Sequence, residues 1–350
     1  MRQWQDNGPA QLFLRPVSWL FGFLASARRL FYRVGVFRRI QVGRPVIVVG
    51  NISVGGTGKT PLVIGVVERL QAAGIKAGVV MRGYRRAGNP DGQATQDDAD
   101  EALLISRRTG VPVVAMVDRV AACAQMIAQY PEVQVIVSDD GLQHYRLKRD
   151  LEICVIDGAR GLGNGALLPA GPLRESRARL SNVNAIVVNR TASNLGGSRF
   201  AETHSAAPTF AMTYAEESFV SLADEEISVQ LALEQWRGKR LCAMAGIGHP
   251  QRFFSQLARL GFQCDEQRAL PDHHAFVPAD INACNGDIVL VTEKDAVKLA
   301  QFATELNKPV WALRVSAQLP PGFDDFLLYL AISGMLLAVF IAIYVRITPY

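Results

Sequence analysis

The densest chemistry in this 350-residue chain lies in Ser53-Val-Gly-Gly-Thr-Gly-Lys-Thr60. The apolar run Val46-Ile-Val-Val-Gly50 precedes it, and Pro61 with the helically spaced Leu62, Val63, Val66, Val67 and Leu70 follows. Strand, glycine-rich turn and helix start, in that order, make a phosphate cradle. Successive backbone N–H groups converge on phosphate oxygens at the positive end of the helix dipole. The turn Ser53, Val54, Gly55, Gly56, Thr57, Gly58 would wrap the phosphates of ATP, Lys59 would reach the β- and γ-phosphates, and the Thr60 hydroxyl would hold Mg²⁺. Pro61 is tolerated because first-turn N–H groups have no helical partner. One position departs from the G-x-x-x-x-G-K-[ST] pattern: Ser53 stands where the first glycine is usual. The competing reading, an ordinary glycine-rich strand–helix turn, leaves Lys59 followed by Thr60 unexplained.

A second apolar run, Val133-Gln-Val-Ile-Val137, ends in Ser138-Asp139-Asp140-Gly141. Carboxylates at the C-terminal end of such a strand lie beside the phosphate loop and can hold Mg²⁺ or its water shell. Two adjacent acids followed by Leu142-Gln143-His144 exceed what one cation requires, which points to substrate or water contacts as well. Acids that merely cap a turn are the plainer alternative. A guanine-reading [NT]KxD segment is missing, since Thr292-Glu-Lys-Asp295 has its lysine in the wrong place. That argues against a GTPase and leaves an ATPase open.

These residues need a scaffold, and the rest of the chain reads as one. Short apolar runs at 46–49, 78–81, 113–115, 134–137, 152–156 and 185–188 alternate with helical patterns at 61–73, 100–108 and 119–129. Continuous rather than alternating hydrophobicity suits parallel strands covered on both faces. Residues 205–237 break the rhythm and read as a linker. A smaller unit over 238–322 follows, with strands near 240–245, 288–291 and 310–313 and a helix over 251–260. The fold expected is α/β: two α/β/α units, the first a P-loop NTPase-like parallel sheet over 45–204, with an N-terminal membrane-surface helix and a C-terminal transmembrane helix.

Composition agrees, with 49% hydrophobic and 20% charged residues. The five cysteines (Cys123, Cys154, Cys242, Cys264, Cys284) are scattered and form no C-x-x-C pair. That fits a reducing cytosol and argues against a disulfide framework or a zinc site. The net charge of +5 divides unevenly: residues 1–44 hold eight arginines against Asp6, or +7, leaving 29 basic against 31 acidic residues, or −2. A body so near neutral excludes nucleic acid as a partner on electrostatic grounds. The arm 1–44 interleaves its arginines with Phe13, Trp19, Phe23, Phe31 and other apolar residues, and its longest uncharged run, 16–27, is too short to span a bilayer. It reads as a helix lying in the headgroups of an anionic leaflet, against the alternative of a helix docked on the chain's own core. The stretch 326–345 has twenty residues without a charge, the length of a transmembrane helix, although Asp324 and Asp325 inside and Arg346 outside run against the positive-inside tendency.

Six strings occur in the order Val49-Gly-Asn-Ile-Ser-Val-Gly-Gly-Thr-Gly-Lys-Thr-Pro61, Met81-Arg-Gly-Tyr84, Ser138-Asp-Asp-Gly-Leu-Gln-His-Tyr145, Leu168-Pro-Ala-Gly-Pro-Leu-Arg-Glu175, Pro271-Asp-His273 and Thr292-Glu-Lys-Asp-Ala-Val-Lys298. Together they resemble the tetraacyldisaccharide 4′-kinase family of lipid A biosynthesis, over about residues 10–320. The resemblance implies a two-domain kinase with its site between the domains. It would transfer the γ-phosphate of ATP to the 4′-hydroxyl of a tetraacylated glucosamine disaccharide 1-phosphate at the cytoplasmic face of the bacterial inner membrane. No obligate protein partner is implied. By the same resemblance Asp100 is the general base and His273 its companion, with Lys59, Asp139 and Asp140 completing the catalytic set. Thr60, Asp140, Gln143 and Glu175 form the magnesium shell, and Arg82, Arg85 and Arg174 meet phosphates. Two features depart from the family: Ala99 and Ala102 flank the acidic pair Asp100-Glu101 where glycine and proline are usual, and the apolar tail is foreign to it. A membrane-associated P-loop ATPase for protein targeting or assembly is the other reading, though it has no need of the Asp100/His273 pair. A non-catalytic nucleotide-binding anchor would be expected to lack one of Lys59, Thr60 or the Asp139-Asp140 pair.

Overall fold

The apolar runs of the first 190 residues become parallel strands whose side chains are buried on both faces. In chain order the elements of this part are α1 (Pro9–Arg33), β1 (Val46–Gly50), α2 (Lys59–Ala72), β2 (Ala77–Arg82), α3 (Gln96–Thr109), β3 (Val113–Met116), α4 (Arg119–Gln129), β4 (Val135–Asp139), β5 (Leu151–Asp157), β6 (Ala185–Asn189) and β7 (Thr209–Ser221). The computed structural model describes residues 9–83, 96–190, 206–272 and 274–329. The chain divides into two compact units, one made of Met1–Asp98, Arg108–Thr213 and Ala317–Tyr350, the other of Ala99–Arg107 and Tyr214–Ser316.

In the first unit the strand order is β7-β6-β5-β1-β4-β2-β3, parallel throughout. β1 therefore sits between β4 and β5, with Val49 in register with Asp139 and with Ile153. That register brings the second acidic run to the end of the strand that feeds the glycine turn. Every residue of β1, β4 and β6 is buried, as continuous apolar runs require of a two-sided sheet. α2 packs on this sheet through Leu62, Val63, Val66, Val67 and Leu70, all buried. α4 starts where Asp118 accepts from Val120 N at 2.9 Å.

The second unit contains the later part of β7, then β8 (Glu226–Ser228), α5 (Val229–Gln235), β9 (Leu241–Ala245), α6 (Pro250–Arg259), β10 (Glu266–Ala269), α7 (Pro278–Asn282), β11 (Ile288–Thr292), α8 (Glu293–Leu299) and β12 (Val310–Gln318). Its order is β10-β9-β11-β12-β7, with β8 antiparallel on β7. Phe219, Trp236, Phe253, Phe254 and Phe262 form an aromatic core on one face.

Three expectations are corrected. Residues 205–237 are no linker: they hold β7, β8 and α5, and the apolar run Phe210-Ala-Met212 is only three residues long before Thr213, too short to stand out as a buried strand. Residues Ala99–Arg107 belong to the second unit, although they lie within the span expected for the first. The transmembrane helix over 326–345 is not supported. Residues 321–329 form a helix in which Phe323 and Leu327 are buried, and Phe323 and Phe326 pack on Phe210 with ring centroids 5.2 and 5.5 Å apart. The start of the apolar stretch is thus the core-facing side of an amphipathic helix. No helix among the described residues is long and apolar enough to cross a membrane, and residues 330–350 lie outside the described residues.

Candidate active site

The turn between β1 and α2 is held open by its own backbone. Gly55 and Gly58 adopt φ of 96° and 90°, a region that an L side chain enters only with strain. Gly58 is the N-cap of α2 and no side chain caps it, so the first-turn N–H groups are left for an anion. Ser53 needs no such freedom. It pairs with Leu173 in an isolated antiparallel bridge, and Val54 N donates to Pro172 O at 2.9 Å. That extended pairing accounts for a serine where the motif has glycine. Buried Asn51 donates through Nδ2 to Thr57 Oγ1 at 3.2 Å, and Asn189 Nδ2 donates to Thr57 O at 3.0 Å. Thr57 thus anchors the turn, while Gly56 and the half-buried Lys59 and Thr60 line its open side.

The carboxylates arrive from β4. Asp139 closes the strand and is buried; Asp140 follows in the left-handed region at φ 47°, which short polar residues tolerate. There Asp140 Oδ1 lies 3.4 Å from Lys59 Nζ, and Oδ2 lies 3.5 Å from Arg174 Nη1. Burial pushes its pKa up, but Lys59 and Arg174 outweigh burial and hold the carboxyl below its ordinary value. Arg119, with its pKa lowered by burial to about 10, donates to Asp139 O at 3.0 Å and Met116 O at 2.9 Å. Arg149 fixes the following turn by donating to the carbonyls of Leu142 at 3.0 Å and His144 at 2.5 Å. His144 is driven down to about 4, first by burial and then by Arg119 and Arg82, so it is neutral near pH 7.

Gln143 and Glu175, expected in the magnesium shell, lie together within a bracing network. Gln143 Nε2 donates to Asn51 O at 3.0 Å and to Glu175 Oε1 at 2.9 Å. Glu175 Oε2 accepts from Tyr145 OH and lies 3.5 Å from Arg179 Nε. Both oxygens of this buried carboxylate are therefore engaged by protein groups that tie the 168–175 segment to the phosphate loop. Arg119, Arg149 and Arg179 lie outside the six strings and act through backbone carbonyls or other side chains, and Tyr145, although it ends one of those strings, carries no implied role there. Hard oxygen donors that could hold Mg²⁺ are the Thr60 hydroxyl and the carboxylates of Asp139 and Asp140, a set that suits this cation. Arg82 is exposed at the end of β2; Arg85 lies outside the described residues.

In the second unit Asp100 is buried on α3, with Oδ2 4.0 Å from Nζ of the equally buried Lys298. Lys298 Nζ also donates to His274 O at 3.3 Å. Lys298 is set by Thr292-Glu-Lys-Asp295, in which Thr292 caps α8 by accepting from Asp295 N at 3.2 Å. Asp295 accepts in turn from Thr292 Oγ1 at 2.6 Å and Gly246 N at 3.2 Å. Its pKa is nonetheless raised, because burial dominates. His273 lies outside the described residues; its neighbour His274 has Nε2 3.0 Å from Asp280 Oδ2.

Residues 10–331 match the family model for tetraacyldisaccharide-1-P 4′-kinase. The chain is 44% identical over 325 residues to the tetraacyldisaccharide 4′-kinase of Methylobacillus flagellatus, covering 91% of each chain. It is 43% identical over 332 residues to the protein of that name from Chromobacterium violaceum, covering 93% of this chain and 95% of the relative. Among solved structures, LpxK from Aquifex aeolicus in complex with ATP superposes with a TM-score of 0.76 at 26% identity, over 92% of this chain and 99% of that one.

Proposed function

The chain belongs to the tetraacyldisaccharide-1-P 4′-kinase family, and we infer that it transfers the γ-phosphoryl group of ATP to the 4′-hydroxyl of a tetraacylated glucosamine disaccharide 1-phosphate, the lipid A precursor. The observation that carries this reading is the charge cluster at the mouth of the phosphate loop. Lys59 and Arg174 both face Asp140, on a turn that Gly55 and Gly58 keep open for a triphosphate. Phosphoryl transfer asks the protein chiefly to position reactants and to neutralise charge spread over the phosphoryl oxygens. Lys59 serves the β- and γ-phosphates, and Arg174 supplies a second cation. Thr60, Asp139 and Asp140 would hold Mg²⁺, which when bound neutralises phosphate charge. Asp100 is the base for the hydroxyl, with His273 as its companion. An aspartate is a weak base for a sugar hydroxyl, and that is sufficient when proton transfer comes late in a loose transition state. Lys298 holds Asp100 and the carbonyl of His274 in one arrangement within the second unit.

The acceptor's acyl chains stay in a leaflet, so the enzyme must work at a membrane surface. α1 supports that role. It docks on the first unit along a narrow face, where Ser18 Oγ donates to Leu167 O at 2.7 Å and a Cβ on Gly22 would meet Leu167 at 2.5 Å. Phe13, Trp19, Leu20 and Phe23 are left exposed among the arginines. Apolar and cationic residues on one exposed helix suit the headgroup layer of an anionic membrane. We place the protein on the cytoplasmic face of the bacterial inner membrane. ATP consumption measured with and without the disaccharide precursor tests the proposal: hydrolysis should depend on the lipid. Equal turnover in its absence would point to an ATPase instead.

A further inference from the structure

Cys242 and Cys284 are 42 residues apart in sequence, yet their sulfurs lie 3.0 Å apart beneath the surface of the second unit, with Cys284 Sγ also 3.5 Å from the carbonyl oxygen of Asp280. Cys242 is in β9 and fully buried; Cys284 follows α7 and is 3% exposed. The approach depends on Gly286, where an added Cβ would fall 2.8 Å from Cys242 N and 2.9 Å from Cys242 Cβ. Two cations surround the pair. Arg268 donates through Nη2 to Ala283 O at 2.8 Å, and Lys308 donates to Cys284 O. The S–H of Cys242 donates to Cys284 and holds the latter's thiol below its ordinary pKa, with Arg268 and Lys308 adding to the effect. The same bond raises Cys242.

Glu266 completes a group of three that could hold a metal ion. Its oxygens are already committed, Oε1 to Arg268 Nε at 2.5 Å and Oε2 to Asn285 N at 2.9 Å. Arg268 and Lys308 outnumber the single Glu266 carboxylate beside the two thiols, a balance that favours a thiolate and opposes a divalent cation. We propose that Cys242 and Cys284 form a peroxide-sensitive dithiol that closes reversibly to an intrachain disulfide. The Cys284 thiolate attacks one oxygen of hydrogen peroxide, breaking the O–O bond, releasing the other oxygen as hydroxide and leaving a sulfenic acid. Cys242 sulfur then attacks the sulfenic sulfur. The S–S bond forms, the hydroxyl leaves, and it departs as water with the Cys242 proton. Two thiols are oxidised and one peroxide is reduced to two waters. A thiol reductant reverses the bond by exchange.

The test is a thiol count on the full-length protein, reduced and then treated with hydrogen peroxide, denatured and alkylated. Alkylated cysteines should fall from five to three, peptide mapping should join Cys242 to Cys284, and dithiothreitol should restore all five. Cys242→Ser should instead accumulate a dimedone-reactive sulfenic acid at Cys284. Cys264→Ser, which leaves the pair intact and changes a half-buried site, should still lose two thiols. Five alkylated cysteines under peroxide that oxidises glutathione would overturn the proposal. So would a disulfide between other cysteines, or stoichiometric zinc that protects the pair until chelated.

Discussion

Replacing Arg179 by methionine removes the cation at the base of the phosphate-loop brace. Arg179 is 2% exposed, its Nη2 donates to Glu152 Oε1 at 2.7 Å, and its Nε lies 3.5 Å from Glu175 Oε2. Burial lowers its pKa, but Glu152 and then Glu175 reverse that and raise it overall, so the buried group is a cation. Methionine keeps much of the apolar stem and deletes the charge. Glu152 would retain Arg149 at 3.1 Å, while Glu175 would keep only the neutral donors Gln143 and Tyr145. Breaking a buried ion pair by removing one partner destabilises by about 3–5 kcal/mol, and the second cation on Glu152 places the loss near 3. For a unit of this size that corresponds to a melting shift of roughly 6–12 °C. Urea and thermal unfolding followed by circular dichroism measure it. The double variant Arg179→Met/Glu152→Gln should lose less than the sum of the single effects, because the two groups share one interaction. A loss under about 1 kcal/mol, or strict additivity, would refute the assignment of Arg179 as the brace's counter-charge.

Three further outcomes are expected. Asp140 has a depressed folded pKa, so its contribution to stability is present above the unfolded carboxylate value and is lost as pH falls through the folded one. The stability gap between wild type and Asp140→Asn should therefore narrow below about pH 4, and a gap independent of pH would contradict the Lys59–Asp140–Arg174 cluster. Asp100→Asn and His273→Ala should each lower turnover strongly, the double variant should lose less than the product of the two, and ATP affinity should hardly change. Weakened ATP binding with turnover preserved would make Asp100 a nucleotide contact. The paired change Trp19→Ala/Phe23→Ala should weaken sedimentation with anionic vesicles, and added salt should release the wild type, since binding combines shallow apolar burial with arginine charge. Vesicle binding unaffected by both would remove α1 from the membrane.

The phosphate loop was legible because its chemistry is local: strand, turn and helix lie within residues 46–72, and each constrains its neighbour. The same holds for β4 and its carboxylates, a continuous apolar run with an abrupt end. What escaped is what long-range pairing decides. β7 has short apolar runs broken by Thr213 and by Glu216-Glu-Ser218, and resembles a linker until β6 and β8 are seen beside it. Glu175 takes its expected magnesium role from the resemblance alone, and nothing in the sequence ties it to Gln143, Tyr145 and Arg179, which surround it. The uncharged length of the tail points to a membrane span, whereas the spacing of Phe323, Phe326 and Leu327 carries the helical core signal at its start. Cys242 and Cys284 share no motif and meet only because β9 and the chain after α7 converge.

The decisive measurement is the fate of labelled γ-phosphate. Purified wild-type protein, ATP labelled in the γ-phosphoryl group and the tetraacylated disaccharide 1-phosphate should yield one labelled lipid, with the new phosphate at the 4′ position by nuclear magnetic resonance. Lys59→Ala at saturating ATP should lose that label by roughly 10³-fold or more, as removal of a charge that meets the transferring phosphoryl group does. Label appearing in inorganic phosphate with none in the lipid, or a Lys59→Ala variant above a tenth of the wild-type rate, would contradict phosphoryl transfer at this loop.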